Sequence, residues 1–152
     1  MSEEIKKGLL GIVVDETTIS HVVPELSALT YRGYTVQELC DKCDFEEVAY
    51  LVLNGELPNK SQLKKFIKQE RSERKLSKQI LNDIKKMPRN AHPMDVIRTC
   101  VSLMALEDKD TKDNSPKANM RKAMRIFAKA PTAVAAYFRT RKGKSIIAPS
   151  KN

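Results

Sequence analysis

Along the chain, short stretches of β-branched residues give way to longer ones in which apolar positions recur every three or four residues. Residues 9–19 carry Ile12, Val13, Val14 and Ile19 around the polar pair Asp15 and Glu16, which predicts two short extended pieces joined by a turn. A further extended piece is expected over residues 29–32, just before Gly33, so the N-terminus reads as a small β-hairpin or sheet. From Thr35 the period becomes helical. Thr35 with Glu38, and Asp44 with Glu47, have capping-box spacing, in which side chains satisfy the free N–H groups of a helix start. Behind these caps, Val36, Leu39, Cys40 and Cys43 predict one buried face, and Phe45, Val48, Leu51 and Val52 a second. Asn54 and Gly55, followed by Pro58, end the second helix.

Four more helices follow from the same logic. Residues 61–74 place Leu63, Phe66 and Ile67 among many cations, and residues 77–87 repeat the pattern with Leu76, Ile80, Leu81 and Ile84 before Pro88 stops it. Pro93 suits a first helical turn, where its missing N–H costs nothing. Met94, Ile97, Val101 and either Leu103 or Met104 then predict a buried face reaching residue 106. Residues 107–116, EDKDTKDNSP, form a polar, breaker-rich surface loop. Residues 117–141 continue as a long helical pattern through Met120, Met124, Phe127, Ala128, Val134, Ala135 and Phe138. Pro131 is expected to kink or split it. Past Gly143 the tail is short and unfinished-looking. The organisation predicted is an extended segment over residues 1–34, a helical domain over 35–143 and a truncated tail over 144–152.

Composition agrees with a mainly α class: the 152 residues are 41% hydrophobic with only five glycines, so aliphatic side chains and Met fill the core in the absence of Trp. The formal net charge of +9 raises nucleic-acid binding through phosphate contacts. Yet Lys60, Lys64, Lys65, Lys68, Arg71, Arg74, Lys75 and Lys78 interleave with apolar residues as a solvated helix face does, so this reading stays an alternative and is not favoured. Cys40, Cys43 and Cys100 make an odd count, and CDKC lacks the second pair that a zinc site needs. Its thiols are expected to be buried on a helix face. MSEEIKK does not read as a signal peptide, and no apolar run reaches membrane-spanning length, so a soluble, cytoplasmic chain with reduced thiols is expected. No phosphate loop or metal-ligand cluster is present in the sequence.

Several strings in this order carry a resemblance. GLLGIVVDETTIS, LTYRGYTVQEL, FEEVAYLVLNGELPNKSQL and AHPMDVIRTCVSLMALED are similar to the N-terminal half of bacterial and archaeal citrate synthases, and the 2-methylcitrate synthases share them. RKAMRIFAKAPTAVAAYFRTRKGKSIIAP resembles that family's next helix and the segment after it. The resemblance implies part of the large helical domain of such an enzyme, incomplete here. It also implies condensation of acetyl-CoA or propionyl-CoA with oxaloacetate, then thioester hydrolysis, as a step of the tricarboxylic acid or methylcitrate cycle.

The complete enzyme is implied to be a homodimer that needs no cofactor, metal or membrane. In it a carboxylate removes a proton beside the thioester, two imidazoles stabilise the enol and protonate the ketone, and arginines clamp the carboxylates. In the family those groups lie beyond the matched strings, so no catalytic, cofactor-binding or metal residue is assigned. The chain alone is expected to be inactive. His92 and Asp95, one turn apart, could form an acid–base pair, but His92 reads better as a capping or packing residue. His21 reads as a surface residue of the early loop. Arg98 is expected to pair with a carboxylate inside the fold, and Arg139 and Arg141 to face water at a helix C-terminus. The apolar faces near residues 94–106 and 120–138 are expected to lack packing partners.

Overall fold

In a computed structural model, residues 7–9, 11–24 and 28–150 are described. The expectations for the first six residues, Leu10 and the last two residues of the tail lie outside them. Contacts along the chain divide it into two compact units, Met1–Asn59 and Lys60–Asn152.

The first unit opens with a single 3-10 turn at Lys7–Leu9. Three antiparallel strands follow: β1 (Ser20–Val23), β2 (Ala28–Tyr31) and β3 (Tyr34–Thr35), in the order β1-β2-β3. Ser20 pairs with Tyr31 and Val23 with Ala28, while Tyr31 pairs with Tyr34. The β2–β3 loop is therefore the two residues Arg32 and Gly33, with φ of 51° and 89°. Positive φ at both positions is what a type I′ hairpin turn demands, and its twist matches that of the strands. Two expectations need correction. Residues 12–17 form no strand, because Ile12, Val13 and Val14 lie exposed without a ladder partner. Gly33 leads into a third short strand before the helix begins.

Helix α1 (Val36–Lys42) starts where Thr35 Oγ1 accepts the Glu38 N–H at 3.3 Å. Helix α2 (Phe45–Asn54) is capped by the Glu47 carboxylate, which accepts the Asp44 N–H at 2.8 Å, and it closes on Gly55 at φ 95°. Leu39 and Leu51 are the buried side chains of these helices. Arg32 ties the unit together: its backbone N–H donates to Ile19 O, Nη1 to Thr18 Oγ1 at 2.6 Å and Nη2 to Val52 O at 3.0 Å. The CDKC cysteines are less buried than the apolar pattern implied: Cys40 is exposed and Cys43 half-buried.

The second unit is helical: α3 (Lys60–Glu73), α4 (Lys78–Lys86), α5 (Pro93–Glu107) and α6 (Pro116–Arg141). Six α-helices among the described residues thus follow the small sheet. Ser77 and Ser115 cap α4 and α6 by accepting the Ile80 and Ala118 N–H groups at 3.1 and 3.3 Å. The core joins Leu76, Ile80 and Ile84 to Val96, Cys100 and Met104 of α5 and to Ala133, Ala136 and Tyr137 of α6. The Tyr137 hydroxyl lies 2.9 Å from Pro88 O and 3.0 Å from Ala91 O, and its one hydrogen is shared between them. Phe66 of α3 meets Phe127 of α6 with ring centroids 6.4 Å apart.

Two buried faces differ from those predicted. On α5 the core takes Val96, Cys100 and Met104, while Met94 is 62% exposed. On α6 it takes Ala118, Met124, Ala128, Ala133, Ala136 and Tyr137, leaving Val134 and Phe138 at 45% and 57% exposure. Small alanines let neighbouring helices approach closely, so the tight side of α6 is its least bulky one. Pro131 does not split α6, which runs as one helix of 26 residues with the proline on its exposed side.

Candidate functional site

His92 and Asp95 sit at the entrance of α5, where sequence reasoning placed its one conceivable acid–base pair. His92 is the N-cap: its Nδ1 accepts the Met94 N–H at 3.3 Å. The Asp95 carboxylate accepts a hydrogen bond from Arg98 Nη2 at 3.0 Å, and these two side chains are 61% and 80% exposed. His92 is exposed as well. A general base works best when desolvated and fixed, and three side chains in open water are neither. The capping reading of His92 therefore agrees with the structure. Arg98 does find a carboxylate, but at the surface instead of inside the fold.

His21 lies exposed as expected, on β1 opposite Thr30 and not in a loop. Arg139 and Arg141 are half-buried at the end of α6, which corrects the expectation that they face water. Arg139 Nε donates to the Ser145 carbonyl, and the Arg141 guanidinium stands 5.8 Å from the centre of the Tyr137 ring. Both fasten the helix end. Cys40 and Cys43 line a small, mostly apolar cavity of about 230 Å³ with Tyr31, Leu39 and Phe45. Burial, then the nearby Glu47 and Asp44 carboxylates, raise the Cys43 thiol pKa, which works against nucleophilic use. Among the described residues no three His, Cys, Asp or Glu side chains converge as metal ligands, and no helix is long and apolar enough to cross a membrane.

The strongest electrostatic constellation was not singled out from sequence. In the loop between α5 and α6, Asp110 accepts Arg121 Nε and Nη2 at 2.9 and 2.8 Å, and Arg125 Nη2 at 2.6 Å. Arg125 also grips Asp108 with two bonds of 2.7 Å. Paired planar donors facing a carboxylate are the strongest form of this contact. The Arg121 hydrogen bonds, then those of Arg125, hold the Asp110 carboxyl well below the usual carboxylate range. At Asp108 burial pulls upward, but Arg125 and the Asp110 backbone N–H outweigh it and the pKa is lowered. Every charge here is answered from within the chain, so the cluster locks a loop and offers no free acid or base.

Just past the end of α3, Arg74 turns inward and holds the buried Glu70 carboxylate through Nε at 2.8 and 2.9 Å. Lys64, Lys68, Arg71 and Lys75 line a single groove. The charged groups described at the helix ends and in the α5–α6 loop thus cap, pin or face solvent.

The likeness to known proteins extends over nearly the whole chain. Residues 8–152 match the family model described as citrate synthase, C-terminal domain. The 2-methylcitrate synthase of Mycobacterium tuberculosis is 49% identical over 146 residues, covering 96% of this chain and 37% of that protein. The citrate synthase of Mycolicibacterium smegmatis is 48% identical, covering 95% of this chain and 38% of its own. In three dimensions the citrate synthase of Pyrobaculum aerophilum superposes with a TM-score of 0.90 at 30% identity, over 97% of this chain and 39% of that one. The chain therefore spans under two fifths of the length of the relatives it matches.

Proposed function

The chain belongs to the citrate synthase family, and on that premise we propose that it supplies the N-terminal helical scaffold of an enzyme joining a short acyl-CoA to oxaloacetate, without being active by itself. The observation that carries this reading is the placement of His92, Asp95 and Arg98. The one imidazole–carboxylate–guanidinium set within a single helical turn stands in solvent, committed to a cap and a surface pair. Enolate formation needs a base, an acid and carboxylate clamps converging on one dry site. Those groups belong to further chain, which packs on this scaffold and completes a cytoplasmic homodimer acting without a cofactor. Either acetyl-CoA or propionyl-CoA suits the proposal, because relatives of both kinds match about equally well.

The test is thiol release from acetyl-CoA or propionyl-CoA with oxaloacetate. The purified 152-residue chain is expected to give no turnover above the uncatalysed rate. Turnover by the chain alone overturns the proposal. A second reading, that the chain is a subunit completed by a separately encoded C-terminal half, draws support from the exposed Val134 and Phe138 on α6. Co-expression with the C-terminal part of a related synthase then restores activity, and no rescue retires it.

A further inference from the structure

Along α3, Lys64, Lys68 and Arg71 fall on one face of the helix, at i, i+4 and i+7, and Lys75 follows just past its end. With the chain near Ala148 and Pro149 they enclose a groove of about 860 Å³ within the second unit. That volume is in the range of small-molecule sites, roughly 300–1,000 Å³. The floor is apolar, formed by Ile67, Ala148 and Pro149, and no carboxylate lines the groove. The nearest acids of the helix lie away from the groove: Glu70 is held by Arg74, and Glu73 lines a different cavity. Among the described residues no ion pair neutralises the four cations, and Arg71 Nε is buried with no hydrogen-bond partner. A buried, unanswered guanidinium N–H costs free energy unless an acceptor arrives.

From this groove we infer a binding site for a phosphorylated small molecule of nucleotide size, its phosphates on the cationic rim and its planar or apolar body on the floor. Lys64 to Arg71 spans about 10 Å of helix, which matches a chain of two or three phosphates. A concave groove of this volume fits such a ligand better than the convex backbone of duplex DNA. The inference stands apart from the synthase reading, since its test needs no turnover.

Titration calorimetry on the 152-residue chain at low salt, with ATP, inorganic tripolyphosphate and adenosine as probes, decides the matter. The expected result is saturable ATP binding about tenfold tighter than tripolyphosphate, and none with adenosine. The double variant Lys68→Gln, Arg71→Gln should weaken ATP binding at least about tenfold, while Lys109→Gln and Lys142→Gln outside the groove leave it unchanged. Circular dichroism checks that the variants fold, and ATP-induced NMR shifts at Ile67 and Ala148 in the unaltered chain give an independent reading. No saturation up to millimolar ATP, ATP no tighter than tripolyphosphate, equal loss in the control variants, or shifts elsewhere overturns the site. So does duplex DNA that displaces ATP and is lost in the same double variant, which assigns the groove to nucleic acid instead.

Discussion

Arg125 touches two carboxylates at once, and removing it strands Asp108, which has no other cation partner among the described residues, and leaves Asp110 to Arg121 alone. Arg125→Ala is expected to lower the thermal midpoint by roughly 5 °C, read by circular dichroism. The sign with pH follows from the lowered pKa values of Asp108 and Asp110. Their contribution is fully present above the unfolded carboxylate pKa of about 3.9 and is lost as pH falls from there through the lower folded values. Urea midpoints between about pH 5 and pH 3 should therefore fall more steeply in the parent chain than in Arg125→Ala. Thiols give a second residue-scale reading. Cys100 is 0% exposed and burial raises its pKa, whereas Cys40 is exposed. A thiol reagent should label Cys40 promptly in the native chain and reach Cys100 only on unfolding; prompt labelling of all three cysteines would contradict the packed core.

At the scale of elements, helix ends were legible because caps are local chemistry. Thr35, Asp44 and His92 were read from such local spacing, while Ser77 and Ser115 cap α4 and α6 by the same chemistry without having been singled out. Strands were less so, since Ile12, Val13 and Val14 have β propensity but no neighbouring strand to pair with, and pairing is decided by distant chain. Buried faces were misjudged wherever size stood in for contact. On α6 the bulky Met120, Val134 and Phe138 are exposed, while Ala128, Ala133 and Ala136 pack inward. Tyr137 fixes that inward side by bonding the carbonyls that precede α5. Tyr137→Phe should cost about 1 kcal/mol in chemical denaturation, because both carbonyls lose a buried donor.

For the whole molecule, the family and its helical architecture could be read from four strings in order, but the charge network could not. Its carboxylates and guanidiniums are 11 to 17 residues apart and meet only when the loop folds back. The available signal was subtle: Arg121 and Arg125 one turn apart, facing two aspartates spaced by one residue. Apolar side chains left on the surface have a consequence at this scale. Val134 and Phe138, one turn apart on α6, present a patch that no described residue covers. Sedimentation should find the chain associating reversibly, with Val134→Lys, Phe138→Glu shifting it toward monomer. A monomeric parent chain with a sharp melt would show that the patch is inert.

The loop joining α5 to α6 has the composition of a protease target, with Lys109 and Lys112 amid aspartates. Yet cleavage requires the segment to unfold locally and enter an enzyme's cleft, and here that means releasing two guanidinium clamps first. Brief trypsin digestion should cut after Lys144, in the tail without regular structure, well before it cuts at Lys109 or Lys112. Mass spectrometry of the early peptides reads that order directly.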